Sequence, residues 1–218
     1  MNDIATQAQV EERLGALAEQ LAAAGRRCEL VIIGGSALLA LGIINRATKD
    51  IDVLAIRGDE QVRPGPEGSA ADVDVVALND AQGLRKADPL PYELVAARNR
   101  VAADFGLEDE WLNPGPSALM DFGLPEGFMD RVRSMRFGGS LTVHVASRFD
   151  LIHFKLYAVA DHRGAAKHEQ DLQALKPTAE ELVEAARWTR THDPSPGFKQ
   201  ELERVLHELG VKDADLGA

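Results

Sequence analysis

Cysteine is almost missing from this chain: Cys28 is the single thiol among 218 residues. An intramolecular disulfide cannot form, and a cysteine-rich zinc site is excluded. Aromatic residues are scarce at 5%, so aliphatic side chains must build most of the core. A basic excess is missing too, since the formal net charge is -11. Proteins that bind nucleic acid over a whole surface are usually basic, because phosphate contacts release counterions. Broad nucleic-acid binding is thereby disfavoured, whereas a local basic cleft is not. No apolar run approaches the roughly 20 residues that span a bilayer, so no membrane partner is expected. The opening MNDIATQAQVEERL has no basic n-region followed by an apolar stretch and does not read as a secretory signal. A cytoplasmic protein is expected.

What is present is ordinary for a folded chain: 45% hydrophobic and 27% charged residues, which excludes wholesale disorder. Residues 3–24 place Val10, Leu14, Leu17 and Leu21 at helical spacing, with a stop near Gly25. CELVIIGG then reads as a buried strand ending in two glycines, and SALLALGI as a short helix that Ser36 is placed to cap. KDIDVLAI is a second strand. Beyond it, GDEQVRPGPEGSAAD looks like a loop, ADVDVVAL like a third strand, and NDAQGLRKADPLP like another loop. PYELVAARNRVAADFG predicts a helix that starts at a proline and ends at a glycine. EDEWLNPGPSALMDFGLPEGF reads as irregular, and RVRSMRFGGSLTVHVAS as a hairpin turning at Gly138-Gly139. From Arg148 onward four helices are expected, one opened by a Thr178-to-Glu181 capping box. The order predicts an α+β protein: a mixed sheet with flanking helices over 1–147, then a helical region over 148–218 packed on it.

Chemistry is concentrated in two short runs. On a strand, Asp50 and Asp52 point to one face, and two adjacent carboxylates repel unless a cation or proton lies between them. Oxygen ligands suit Mg²⁺, and a pair of such ions can activate an attacking oxygen and stabilise a leaving pyrophosphate. An edge strand with two solvated acids is the bland alternative. Gly34-Gly35-Ser36 shifts the balance, because glycines allow close backbone approach and a helix N-terminus favours phosphate. The thirteen residues 37–49 suffice for one helix and a return to the neighbouring strand. Later, Lys155 falls in the stripe Leu151, Ile152, Lys155, Ala158, Val159. A lysine there either snorkels to water or meets an anion. Arg131, Arg133 and Arg136 form a small basic group that either touches RNA phosphate or is simply solvated. His153, His162 and His168 lack the spacing of a zinc motif and read as surface or satisfied residues. Trp111 is expected to pack on the core and Trp188 among the last helices.

The run VIIGGSALLALGIINRATKDIDVLA resembles the DNA polymerase beta-like nucleotidyltransferase superfamily: a hydrophobic strand, a GG or GS turn, a helix and then DxD. RATKDIDVL, WLN at 111–113, VASRFDLIHFKLYA and the later Asp171-Leu172 resemble a narrower bacterial family close to the AbiEii-type nucleotidyltransferase toxins. The resemblance implies that Gly34, Gly35 and Ser36 hold a nucleoside triphosphate and that Asp50 and Asp52 bind the metals. It also implies that Lys155 contacts phosphate and that Asp171 belongs to the nucleotide site. Superfamily members generally have a third carboxylate on a later strand, for which Asp72, Asp74 and Asp121 are the candidates. Where the toxin-like group often shows a Lys-Asp pair, this chain reads Lys167-His168.

The expected activity is Mg²⁺-dependent transfer of a nucleoside monophosphate from an NTP to an acceptor, RNA or protein ahead of a small molecule. A toxin–antitoxin component with a cognate antitoxin or partner protein is one form of that reading. The alternative is a catalytically degenerate module that keeps the fold to bind a nucleotide or a protein.

Overall fold

The computed structural model describes residues 3–57, 83–161, 166–212 and 214–216. Helix α1 (Gln7–Ala23) opens with the Thr6 hydroxyl accepting from the Gln9 N–H at 3.2 Å, and it buries Val10, Leu14, Leu17 and Leu21. Strand β1 (Cys28–Ile33) is buried over its last four residues, as its unbroken apolar run requires. It passes directly into α2 (Gly34–Ala40), a helix of seven residues, and then into β2 (Ile51–Arg57).

Two short strands follow: β3 (Leu84–Lys86) and, after α3 (Tyr92–Phe105), β4 (Leu112–Asn113). A 3-10 helix (Gly115–Phe122) and the one-turn α4 (Phe128–Arg131) lead into the hairpin β5 (Arg133–Phe137) and β6 (Leu141–Val145). The sheet order is β3-β2-β1-β6-β5, with β4 paired to β2 along the edge that β3 also uses. Strands β1 and β6 run parallel, as do β2 and β4, and the remaining pairs are antiparallel. This mixed sheet with helices against it is the expected α+β architecture.

Helices α5 (Arg148–Asp161), α6 (Ala166–Leu175), α7 (Ala179–His192) and α8 (Pro196–Glu208) complete the chain. The Thr178–Glu181 capping box forms with both of its hydrogen bonds. Helix α5 packs on α2, α6, α7 and α8, so nine of its fourteen residues are buried. Its first turn is pinned by Asp150, which is fully buried and takes hydrogen bonds from Ser147 at 2.6 Å and from the Arg131 guanidinium at 2.5 Å. Trp188 ties α7 to the segment after the 3-10 helix by donating to the Gly123 carbonyl at 3.1 Å.

Several expectations need correction. NDAQGLRKADPLP contains β3, and the region expected to be irregular contains β4 and the 3-10 helix. Strands of two or three residues are too short to show alternation, so only their pairing with β2 reveals them. The expected strand ADVDVVAL lies outside the described residues. Arg131, Arg133 and Arg136 do not act as one cluster: Arg131 is spent on Asp150 and lies over the Phe149 ring, while Arg133 and Arg136 are exposed on β5. Of the two readings given for His153, surface or satisfied, the second holds: it is a core residue with a hydrogen-bond partner. Its Nδ1 lies 2.9 Å from the Phe149 carbonyl, and burial holds it below the usual imidazole range. Among the described residues, no helix is long and apolar enough to cross a membrane.

Candidate functional site

The register of three strands builds the site. Asp52 stands opposite Ile33, the last residue of β1, on one side and opposite Asn113 of β4 on the other. Gly34 follows Ile33 with φ +70°, a conformation that L side chains rarely adopt. A Cβ at Gly34 would collide with the Asp52 carboxylate. Glycine is therefore required twice at this position, once by the backbone and once by the approach of the acid.

Asp50 sits one residue before β2 begins, not inside the strand as its alternation suggested. It still converges with Asp52, because the Asn113 Nδ2 amide donates to Asp50 Oδ2 at 3.2 Å and to Asp52 Oδ1 at 3.3 Å. The other end of that amide is also committed, since Asn113 Oδ1 accepts from the Gly115 N–H at 2.9 Å. Beside Asn113, Trp111 is buried and donates from Nε1 to the Arg98 carbonyl at 3.0 Å, while its own carbonyl accepts from the Ile51 N–H at 2.6 Å. Helix α3 and β2 thus hold the Asn113 segment in place. Trp111 packs in the core as expected.

Electrostatics at the pair are unfavourable without a cation. Burial, and then the charge of Asp50, pushes the Asp52 carboxyl up to about 7, against the opposing pull of Lys155, Lys167 and the Asn113 amide. Two close carboxylates in a protected place, with one amide between them, suit a divalent cation. The donor set fits Mg²⁺, and the glycine at 34 makes room for the Asp52 carboxylate itself.

A second arrangement adjoins the first. A Cβ on Gly35 would lie 3.0 Å from Thr48 Oγ1 and 3.7 Å from the Arg46 Nη2. Thr48 is held by a two-way backbone bridge to Ile4, with both hydrogen bonds at 2.8 Å, and its Oγ1 reaches Asp50 at 3.4 Å. Arg46 forks onto Asp171, Nε at 2.8 Å and Nη2 at 2.5 Å, and Lys155 Nζ reaches the same carboxylate at 2.7 Å. Burial would raise the Asp171 carboxyl, but the Arg46 fork and the Lys155 ammonium outweigh it and hold it below the ordinary carboxylate range. Lys155 is buried and does not snorkel; its anion belongs to this chain. Arg46 is the more accessible cation, with about a third of its side chain exposed.

Gly34, Gly35, Asp50, Asp52, Lys155 and Asp171 therefore fall in one continuous neighbourhood. Ser36 is different. Its hydroxyl is fully buried and donates to the Ile33 carbonyl at 3.2 Å, and α2 begins at Gly34 without a side-chain cap. The helix starts three residues earlier than a capping role for Ser36 would allow. Asp121 is not part of the pair's surroundings: it forms an ion pair with Lys86 on β3, and among the described residues no three His, Cys, Asp or Glu side chains converge. Asp72 and Asp74 lie outside the described residues. Arg46, Thr48 and Asn113 were not singled out from the sequence. The only signal was their place within RATKDIDVL and WLN, since their roles arise from partners up to 125 positions away.

Residues 12–176 match a family described as "Nucleotidyltransferase of unknown function (DUF6036)", and the chain belongs to that family. Neither a curated protein nor a solved structure matches the chain. The matched span contains every residue of the site described above.

Proposed function

We propose that this protein is a Mg²⁺-dependent nucleotidyltransferase that moves a nucleoside monophosphate from an NTP to an acceptor hydroxyl on RNA or protein. The observation that carries the reading is the convergence of Asp50, Asp52 and the Gly34-Gly35 turn with a cationic pair, Arg46 and Lys155, held by Asp171. Asp50 and Asp52 would hold the metal, which supplies charge neutralisation at the triphosphate when bound. The Gly34-Gly35 backbone lets the phosphates approach without a side chain in the way. Arg46 spends its donor fork on Asp171 but keeps about a third of its side chain exposed beside that turn, where its charge would attract phosphate. Asp171 acts as a positioning residue, because its oxygens are already taken by the two cations. In the reaction the acceptor oxygen bonds to the α-phosphorus, the bond to the β-phosphate's bridging oxygen breaks, and pyrophosphate departs as the hydroxyl proton is released.

Helix α2 spans only seven residues, so its dipole is a smaller source of phosphate attraction than the one net positive charge that Arg46 and Lys155 keep over Asp171. Exposed Arg133 and Arg136 on β5 support an acceptor with phosphates, within a chain of net charge -11. A growth-arresting toxin neutralised by a partner protein is the biological form most consistent with the family resemblance noted above.

The test is to incubate the protein with each labelled NTP and Mg²⁺, with and without total cellular RNA, beside the Asp50→Ala/Asp52→Ala double variant. Wild type should transfer label and the double variant should not. Identical behaviour of the two would sink the enzyme reading. A specific observation favours one competitor: Asn113, not an acid, stands beside the carboxylate pair. Saturable NTP–Mg²⁺ binding by wild type without any transfer would establish the nucleotide-binding module instead.

A further inference from the structure

Two divalent ions at one site stand about 3.5–4 Å apart and need bridging and terminal oxygen ligands for both. Here the described residues supply two carboxylates; Thr48 reaches Asp50 alone, and the side chain that bonds to both acids is an amide. Its orientation is fixed by three contacts. Nδ2 donates to both acids, and Oδ1 is bound to the Gly115 N–H at 2.9 Å. Turning the amide to offer an oxygen would break the Gly115 hydrogen bond and aim the NH₂ group at a backbone donor. The surrounding chain resists that flip, because Asn113 is paired with Asp52 in β4 and its neighbour Trp111 is anchored to α3 and β2.

We propose that Asn113 closes the third side of the carboxylate pair and limits the site to one divalent ion per chain. The amide's N–H group occupies the place where a third anionic ligand would serve a second ion, and it contributes partial positive charge where that ion would sit. One ion matches the two formal negative charges that Asp50 and Asp52 supply. Asn113 is thus a determinant of metal number, a property that the activity alone does not reveal. The inference rests on the metal-and-triphosphate reading above, and its test separates the two.

The experiment loads the full chain with Mn²⁺ and tripolyphosphate, the portion common to all NTPs, and records bound ions per chain together with the electron paramagnetic resonance spectrum. Wild type should bind one ion with an uncoupled signal. Asn113→Asp, nearly isosteric, should bind two and show the spin-coupled spectrum of a close pair. Asn113→Ala, which adds no ligand, should remain at one. Two coupled ions in wild type would overturn the proposal whether or not any variant folds. So would a folded Asn113→Asp protein, checked by its melting curve, that still binds one. If wild type binds no Mn²⁺ at all, the metal reading under the proposed function falls with it, whereas a wrong count alone leaves that reading standing.

Discussion

Asp52, partly buried, and Asp171, fully buried, are acids in one neighbourhood, and they are treated in opposite ways. Asp52 shares its surroundings with another acid and one neutral amide, and its carboxyl is pushed up to about 7. Asp171 is gripped by Arg46 and Lys155 and is held below the usual range. The lesson is a division of labour. Where the chain supplies its own cations the acid is structural, and where it withholds them the acid is free to take a cation from outside. A buried charge that is compensated internally is costly to leave without its partner, whereas an uncompensated one is a strain associated with binding sites.

The largest effect should come from breaking the compensated side. Asp171→Asn leaves Lys155 and Arg46 without their shared anion, which should cost about 3–5 kcal/mol and lower the melting temperature by on the order of 10 °C. Nucleotide transfer should vanish with it. If melting is unchanged, Asp171 is not the anchor described.

The opposite sign is expected on the uncompensated side. Asp52→Asn should raise metal-free stability by up to about 4 kcal/mol at pH 8, since the carboxyl is pushed from its ordinary 3.8 to about 7 and each pKa unit is worth about 1.4 kcal/mol. The direction follows from linkage. The folded carboxyl titrates near 7, above its unfolded value, so the folding penalty is complete above that pH and fades as pH falls toward 4. Melting curves should therefore show the gap between Asp52→Asn and wild type closing between pH 8 and pH 4. The Asp171 contribution has the reverse dependence. Its folded carboxyl is depressed, so its stabilisation persists above the ordinary carboxylate range and is lost only in stronger acid.

A smaller change sharpens the same contrast. Arg46→Lys keeps the charge but loses the two-pronged grip on Asp171. Stability should fall by about 1 kcal/mol, and NTP affinity, read by calorimetry, should weaken several-fold. An unchanged affinity would remove Arg46 from the phosphate side of the site.

Much of the fold is legible in the sequence where elements are long or tightly punctuated. Helix α1 shows its buried stripe, β1 its apolar run, the hairpin its double glycine, and α7 its capping box, because each signal is local. Strands β3 and β4 were not legible, since strands of two or three residues exist only through pairing with β2. The site divides along the same line. The Gly34-Gly35 turn and the Asp50–Asp52 spacing can be read directly, while the cap expected of Ser36 does not form, because its hydroxyl turns inward to the Ile33 carbonyl.

The chain by itself determined the kind of chemistry: a glycine turn and a close carboxylate pair at a spacing that one helix can bridge. Those features depend on near neighbours and on strand periodicity. Only the tertiary structure decided how the charges are distributed. It brought Asn113 of β4 against the acid pair, and it gathered Arg46 and Lys155 around Asp171 across as many as 125 positions. Coulomb forces and desolvation act through distance in space, so the same aspartate residue becomes an anchor in one place and an acid without a paired cation in the other.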